Sequence, residues 1–166
     1  MTTHPAADPF DLHDVEWTAV SPRLVGARLL VLGITAALTV LPVAVVVALV
    51  GVPWLWAVVA VLVLGYAWGA LLVPRQVRAV GYAERADDLL VRRGILFRQL
   101  VVVPYGRMQY VDVSSGPVAR SFGIATVQLH TAAPGTDATI PGLPPQEAAR
   151  LRDRLASRGE ARLAGL

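Results

Sequence analysis

Apolar residues are not spread evenly along this chain. From Leu29 to Val73 there is no Asp, Glu, Arg, Lys or His, and every charge lies outside that stretch. Leu29 to Val50 holds fourteen Leu, Ile and Val in twenty-two residues. At roughly −0.3 to −0.6 kcal/mol each, these favour insertion into a bilayer by about 4 to 8 kcal/mol. At about 1.5 Å per residue the segment reaches roughly 33 Å, enough for a hydrocarbon core of about 30 Å. Gly51-Val52-Pro53 interrupts the run, and Trp54 and Trp56 follow, amphipathic rings where a membrane interface belongs. Trp54 to Val73 holds ten Leu or Val in twenty residues and stops at Pro74-Arg75, with Tyr66 and Trp68 approaching the opposite interface. The pattern predicts a transmembrane hairpin with spans over 29–50 and 54–73 and a kink at Pro42.

On either side the period changes. Residues 1–16 are rich in Pro, Asp, Thr and Ala without an apolar repeat and are expected to be a disordered tail. Ser21-Pro22-Arg23 reads as a helix start, with Ser at the cap and Pro in the first turn. After the hairpin, over 17–75, short strand-like runs alternate with turn signals: Val77 to Glu84, Asp88 to Arg93, Phe97 to Val103, Gln109 to Ser114, Ile124 to Thr131 and Thr136 to Ile140. Gly94, Pro104-Tyr105-Gly106 and Ala133-Pro134-Gly135 break them, with Gly94 and Gly106 expected at positive φ. Pro144-Pro145 then opens an amphipathic helix with Ala148, Leu151 and Leu155 on one face, able to plug a small twisted sheet or barrel. A β domain over 76–158, capped by that helix, and a tail over 159–166 complete the expected organisation.

Charge orients the hairpin. Arg23 and Arg28 precede the first span, Arg75, Arg78 and Arg85 follow the second, and the connecting turn carries none, which predicts both termini on the cytoplasmic side. With 55% hydrophobic and 16% charged residues, a buried hairpin in a soluble protein is the poorer reading, because forty-five charge-free residues would need a far larger chain to cover them. The first twenty residues hold four acids and no Arg or Lys, so the first apolar segment is expected to be a retained anchor rather than a cleaved signal. Gly65-x-x-x-Gly69 offers a smooth helix face, expected to pack on the first span. Homodimerisation through it stays open.

Candidate chemistry is sparse. The chain has no Cys, which removes disulfides and thiolate chemistry. His4 and His13 fall in the expected tail, and His130 stands alone in a strand. Asp87-Asp88 sit where a solvated turn is expected, and no nucleophile elbow or phosphate-binding glycine loop occurs. The spans hold no ionisable residue, which argues against a proton relay or charged-substrate pathway. Thr35 and Thr39 can satisfy their hydroxyls on the preceding helical turn. No catalytic residue, cofactor or metal is therefore expected.

The basic surface remains. From Pro74 onward there are thirteen Arg against eight acids, beside what would be an anionic leaflet. Arg75, Arg78, Arg92, Arg93 and Arg98 are the candidate contacts for lipid or a partner, each worth up to about 1 kcal/mol at such a surface. Ordinary flanking of membrane spans explains the same charges. Nucleic-acid binding fits worse, since aromatics are not interleaved with this charge.

Three stretches, Arg92-Arg93-Gly94-Ile95-Leu96-Phe97-Arg98, Val103-Pro104-Tyr105-Gly106-Arg107-Met108-Gln109 and Gly116-Pro117-Val118-Ala119-Arg120-Ser121-Phe122-Gly123-Ile124-Ala125, resemble the bacterial PH-domain membrane proteins of the YdbS type. Ile140-Pro141-Gly142-Leu143 and Glu147-Ala148 continue the likeness, as does a two-span hairpin ahead of the domain. The resemblance covers roughly Trp17 to Leu155. It implies a pleckstrin-homology-like domain of two sheets capped by a C-terminal helix, with no catalytic residues to transfer. Within the motifs, Arg107 could bond loop carbonyls or a carboxylate, Phe122 is expected to anchor its loop in the core, and Arg120 to face a partner or Asp112. The expected role is a non-enzymatic interaction module held at the cytoplasmic face, binding a protein partner or anionic lipid. The alternative is an accessory subunit of a membrane enzyme, transport or export complex.

Overall fold

The computed structural model describes residues 15–132 and 136–164. The expected tail over 1–16 and the Ala133-Pro134-Gly135 turn lie almost wholly outside the described residues. The hairpin consists of α1 (Arg23–Val50) and α2 (Trp56–Arg78), joined through a single 3₁₀ turn at Pro53–Leu55. Only 6% and 11% of the residues in their most apolar windows are buried within the protein. Surface that is apolar all round and uncovered by protein has lipid as its natural solvent. Trp54 and Trp56 stand exposed beside the tip. The Ser21 hydroxyl accepts the Arg23 N–H at 3.3 Å just ahead of α1, whose capping position falls on Pro22 rather than on the expected Ser21.

The Thr39 hydroxyl reaches the Thr35 carbonyl and also bonds the Tyr66 hydroxyl of α2, each at 2.9 Å. Tyr66 is thus an interhelical contact in the middle of the hairpin rather than an interfacial anchor. Of the two glycines in the small-residue motif, Gly69 faces Leu32 of α1, with 3.8 Å between the leucine methyl and the position a Cβ would take, while Gly65 has open space beside it.

Of the boundaries that depart from expectation, two concern the hairpin; the strands expected over Phe97 to Val103 and Thr136 to Ile140 also shift, to Gln99–Pro104 and Ala138–Leu143. α2 continues through Pro74 to Arg78, so the run from Val77 is helical and its strand begins only at Gly81. Val73 and Val77, four residues apart on one helix face, are both buried in the domain core, and that packing carries the helix past the proline. Second, the domain does not simply follow the hairpin. β1 (Thr18–Ala19) lies before α1 yet pairs antiparallel with β2 (Gly81–Glu84), Thr18 opposite Tyr82. The hairpin is therefore inserted between the first two strands of a sheet.

That sheet runs β1-β2-β3-β4, with β3 (Asp88–Arg93) and β4 (Gln99–Pro104). A second, three-stranded sheet follows the order β5 (Met108–Ser114), β6 (Ala125–Thr131), β7 (Ala138–Leu143). Along β6 the residues alternate strictly between core and surface, placing Val127 and Leu129 fully inside. A short helix, α3 (Pro117–Ser121), links β5 to β6, and α4 (Pro145–Ala164) closes the fold with Ala148, Leu151 and Leu155 buried. α4 runs well past Arg158, so most of the expected tail over 159–166 is helix.

Polar groups clamp α4 to the first sheet. The Tyr82 hydroxyl donates to Glu147 at 2.8 Å, and Arg150 and Arg154 both reach Glu84, at 3.3 and 3.2 Å. Arg158 donates to the Tyr105 hydroxyl at 2.7 Å, and Tyr105 to the Arg85 carbonyl at 3.0 Å.

Candidate functional site

The domain-side ends of both long helices are part of the domain core. Leu24 and Ala27 of α1 and Val73 and Val77 of α2 share one buried cluster with Ile124, Ala125 and Leu143. Several motif residues build the socket that receives α1. Gly142, at φ +76°, lies so close to α1 that a Cβ there would sit 2.8 Å from Leu24, and its carbonyl accepts the Ser21 N–H at 2.9 Å. Phe122 packs on Gly26, where a Cβ would come within 2.7 Å of the ring, and Gly123 lies against the Arg23 guanidinium. Phe122 is thus the anchor its sequence context suggests, with a transmembrane helix as its seat. Arg120 reaches the Ser115 carbonyl at 3.5 Å, not Asp112.

The other motif residues are also structural. Pro104 ends β4 opposite Asp88, and Tyr105 is buried with its N–H on the Asp87 carbonyl. Gly106 lies in a 3₁₀ turn over Tyr105–Arg107 and does not adopt positive φ. The Arg107 carbonyl accepts the Ala132 N–H, and Gln109 is the extra residue of a bulge between Met108 and Tyr110. His130 is not alone: its Nδ1 lies 3.3 Å from Asp137, and its ring stacks on Tyr110 at 4.4 Å. The Thr131 N–H bonded to Asp137, with help from His130, holds that carboxyl below its ordinary range. Among the described residues no group of three or more His, Asp or Glu is placed to hold a metal ion.

One concave surface gathers charge. A cleft of about 900 Å³ opens between the domain-side end of α2 and the β3–β4 loop. Arg28 of α1, Arg75 of α2 and Arg93 of β3 line it together with Trp68, Leu72 and the loop residues Gly94 to Phe97, and none of its lining residues is acidic. Arg93 is held by its Nε donating to the Gln99 side chain at 2.9 Å, while neither Arg28 nor Arg75 has an ion pair among the described residues. A second, mostly apolar cleft of about 380 Å³ lies between α1 and α3 and shares Arg28. The larger cleft thus joins cations to apolar side chains in one lining.

The predicted basic set is therefore divided. Arg75 and Arg93 meet in the cleft. Arg92 instead lies over the Trp17 ring at 4.3 Å, a cation–π contact just ahead of β1. Arg78 and Arg98 do not line the cleft. The sequence reading missed Arg28 as a member, because nothing local ties position 28 to positions 75 and 93.

The bacterial PH domain family matches residues 24–159, most of the chain. The chain belongs to that family. As a bacterial PH domain protein it is similar to the UPF0699 transmembrane protein YdbS of Bacillus subtilis (strain 168), with 39% identity over 74 residues, 45% of each chain. The match thus spans less than half of that relative's length. No solved structure matches. Family, relative and the two uncovered apolar helices agree on a membrane protein carrying a PH-like domain.

Proposed function

We propose that this protein is a membrane-anchored, non-enzymatic PH-like module at the cytoplasmic face that binds anionic phospholipid headgroups in the cleft between α2 and the β3–β4 loop. The observation that carries this reading is the convergence of Arg28, Arg75 and Arg93 on one cleft without an acid among its lining residues. The cleft lies at the level where α1 and α2 leave their charge-free stretches, so a headgroup reaches it by lateral diffusion. The placement of all flanking arginines on the domain side, with none at the tip, supports the cytoplasmic assignment.

The test replaces Arg28, Arg75 and Arg93 together by Gln and measures the preference of the reconstituted full chain for spin-labelled phosphatidylglycerol over phosphatidylcholine. Each arginine near an anionic surface is worth up to about 1 kcal/mol, or about fivefold in affinity. The wild-type preference should fall in the triple variant and weaken with added salt. Equal affinity of the wild type for both lipids would sink the proposal.

A second reading, an accessory subunit of a larger membrane complex, is favoured by the open space beside Gly33 and Gly65, which leaves room for another helix to approach closely. A stoichiometric multi-span partner retained in mild detergent would support it.

A further inference from the structure

We infer that the β3–β4 loop is a third membrane contact, with Leu96 and Phe97 inserted into the bilayer beside α2. Leu96 is 88% exposed and Phe97 92%. Both exceed any large apolar side chain of the two lipid-facing helices among the described residues. A turn joining two strands is ordinarily polar, so an apolar tip of this kind has a use. The loop is also shaped rather than slack. Gly94, at φ +96°, closes it so tightly that a Cβ there would overlap the Phe97 carbonyl, and the Arg93–Gln99 bond ties the two strand ends together.

What covers this tip follows from its neighbours. Ile95, Leu96 and Phe97 line the same cleft as Arg75 and Trp68 of α2. Arg75 is the first charge after the span and sits at the headgroups. Trp68, seven residues earlier, is roughly 10 Å deeper at about 1.5 Å per residue. The loop therefore stands beside the part of α2 that passes from headgroups into acyl chains. Its apolar tip is continuous with the lipid-facing surface, and Arg93 and Arg98 bracket it in sequence at headgroup level. Entry on apolar character does not rest on headgroup recognition in the cleft.

The chain has no cysteine, so Leu96→Cys takes a single environment-sensitive fluorophore, with Ala156→Cys on the exposed side of α4 as the aqueous reference. In vesicles of phosphatidylcholine alone, the label at position 96 should emit to the blue of the reference. It should be quenched several-fold more by nitroxides on the upper acyl chain and shielded from iodide, and Phe97→Cys should repeat the pattern. Iodide quenching equal to the reference at both positions would overturn the inference. So would shielding from both quenchers, which would place the tip against protein, such as a second copy. Insertion only in phosphatidylglycerol vesicles would overturn entry on apolar character. Insertion in neutral vesicles without any headgroup preference would leave the loop contact standing and remove only the lipid-recognition proposal.

Discussion

Gly142 shows how one residue sets the junction between domain and membrane. Its positive φ and its approach to Leu24 leave no space for a side chain. Gly142→Ala should destabilise the domain by about 1–3 kcal/mol, read as a lower denaturation temperature of the purified full chain in detergent. An unchanged transition would mean that the socket yields freely. The sequence marked Gly142, Phe122 and Gly123 as motif residues but carried no sign that their common task is to seat α1. Contacts from Leu24 and Gly26 to residues about a hundred positions away leave no local period. The same holds for the arginines. Position along the chain groups Arg92 with Arg93, whereas strand alternation sends them to opposite sides, one to Trp17 and one to the cleft.

At the scale of elements, α4 is held by a polar clamp whose protonation can be followed. Burial, and then the hydrogen bond to Glu147, push the Tyr82 hydroxyl up to about 12. Hydrogen bonding to Arg150 holds the Glu147 carboxyl below its ordinary range. The signs differ. Tyr82 has a raised folded-state pKa, so its contribution is complete below about pH 10 and is lost as pH rises through about 12. Glu147 has a lowered one, so its contribution is present above the ordinary carboxylate pKa of about 4.3 and is lost as pH falls below that. Glu147→Gln should flatten the fall of denaturation temperature on the acid side, and Tyr82→Phe the fall above about pH 10. Profiles parallel to wild type in both variants would show that the clamp does not couple to pH.

The presence of an element is legible where a run is long. Forty-five charge-free residues announced the hairpin, and the spacing of Ala148, Leu151 and Leu155 announced α4. β1, with two residues, and α3, with five, are too short to show a period. Proline at position 74 reads as a stop, but tertiary packing of Val73 and Val77 outweighs it.

For the whole molecule, both the sheet and the bilayer constrain orientation. The domain is joined to the hairpin at two places, through β1 into α1 and from α2 into β2, and its core encloses the ends of both helices. With the domain at the cytoplasmic face, a membrane-impermeant maleimide should label Val52→Cys at the hairpin tip in intact cells and Ala156→Cys only after lysis. The reverse pattern would invert the topology and remove the anionic inner leaflet from the lipid proposal. The sequence yields an expected orientation through arginine placement, but the interleaving of hairpin and sheet lies hidden in a two-residue strand.

That interleaving imposes an order of assembly. Thr18 is made about sixty residues before its partner Tyr82, roughly 3–12 s of synthesis at about 5–20 residues per second. Throughout that interval the strand has nothing to pair with, and its partner arrives only after both spans have been synthesised. The first sheet can therefore reach its full width only once the second span is complete, so its outermost ladder serves as a built-in receipt that the anchor has been made.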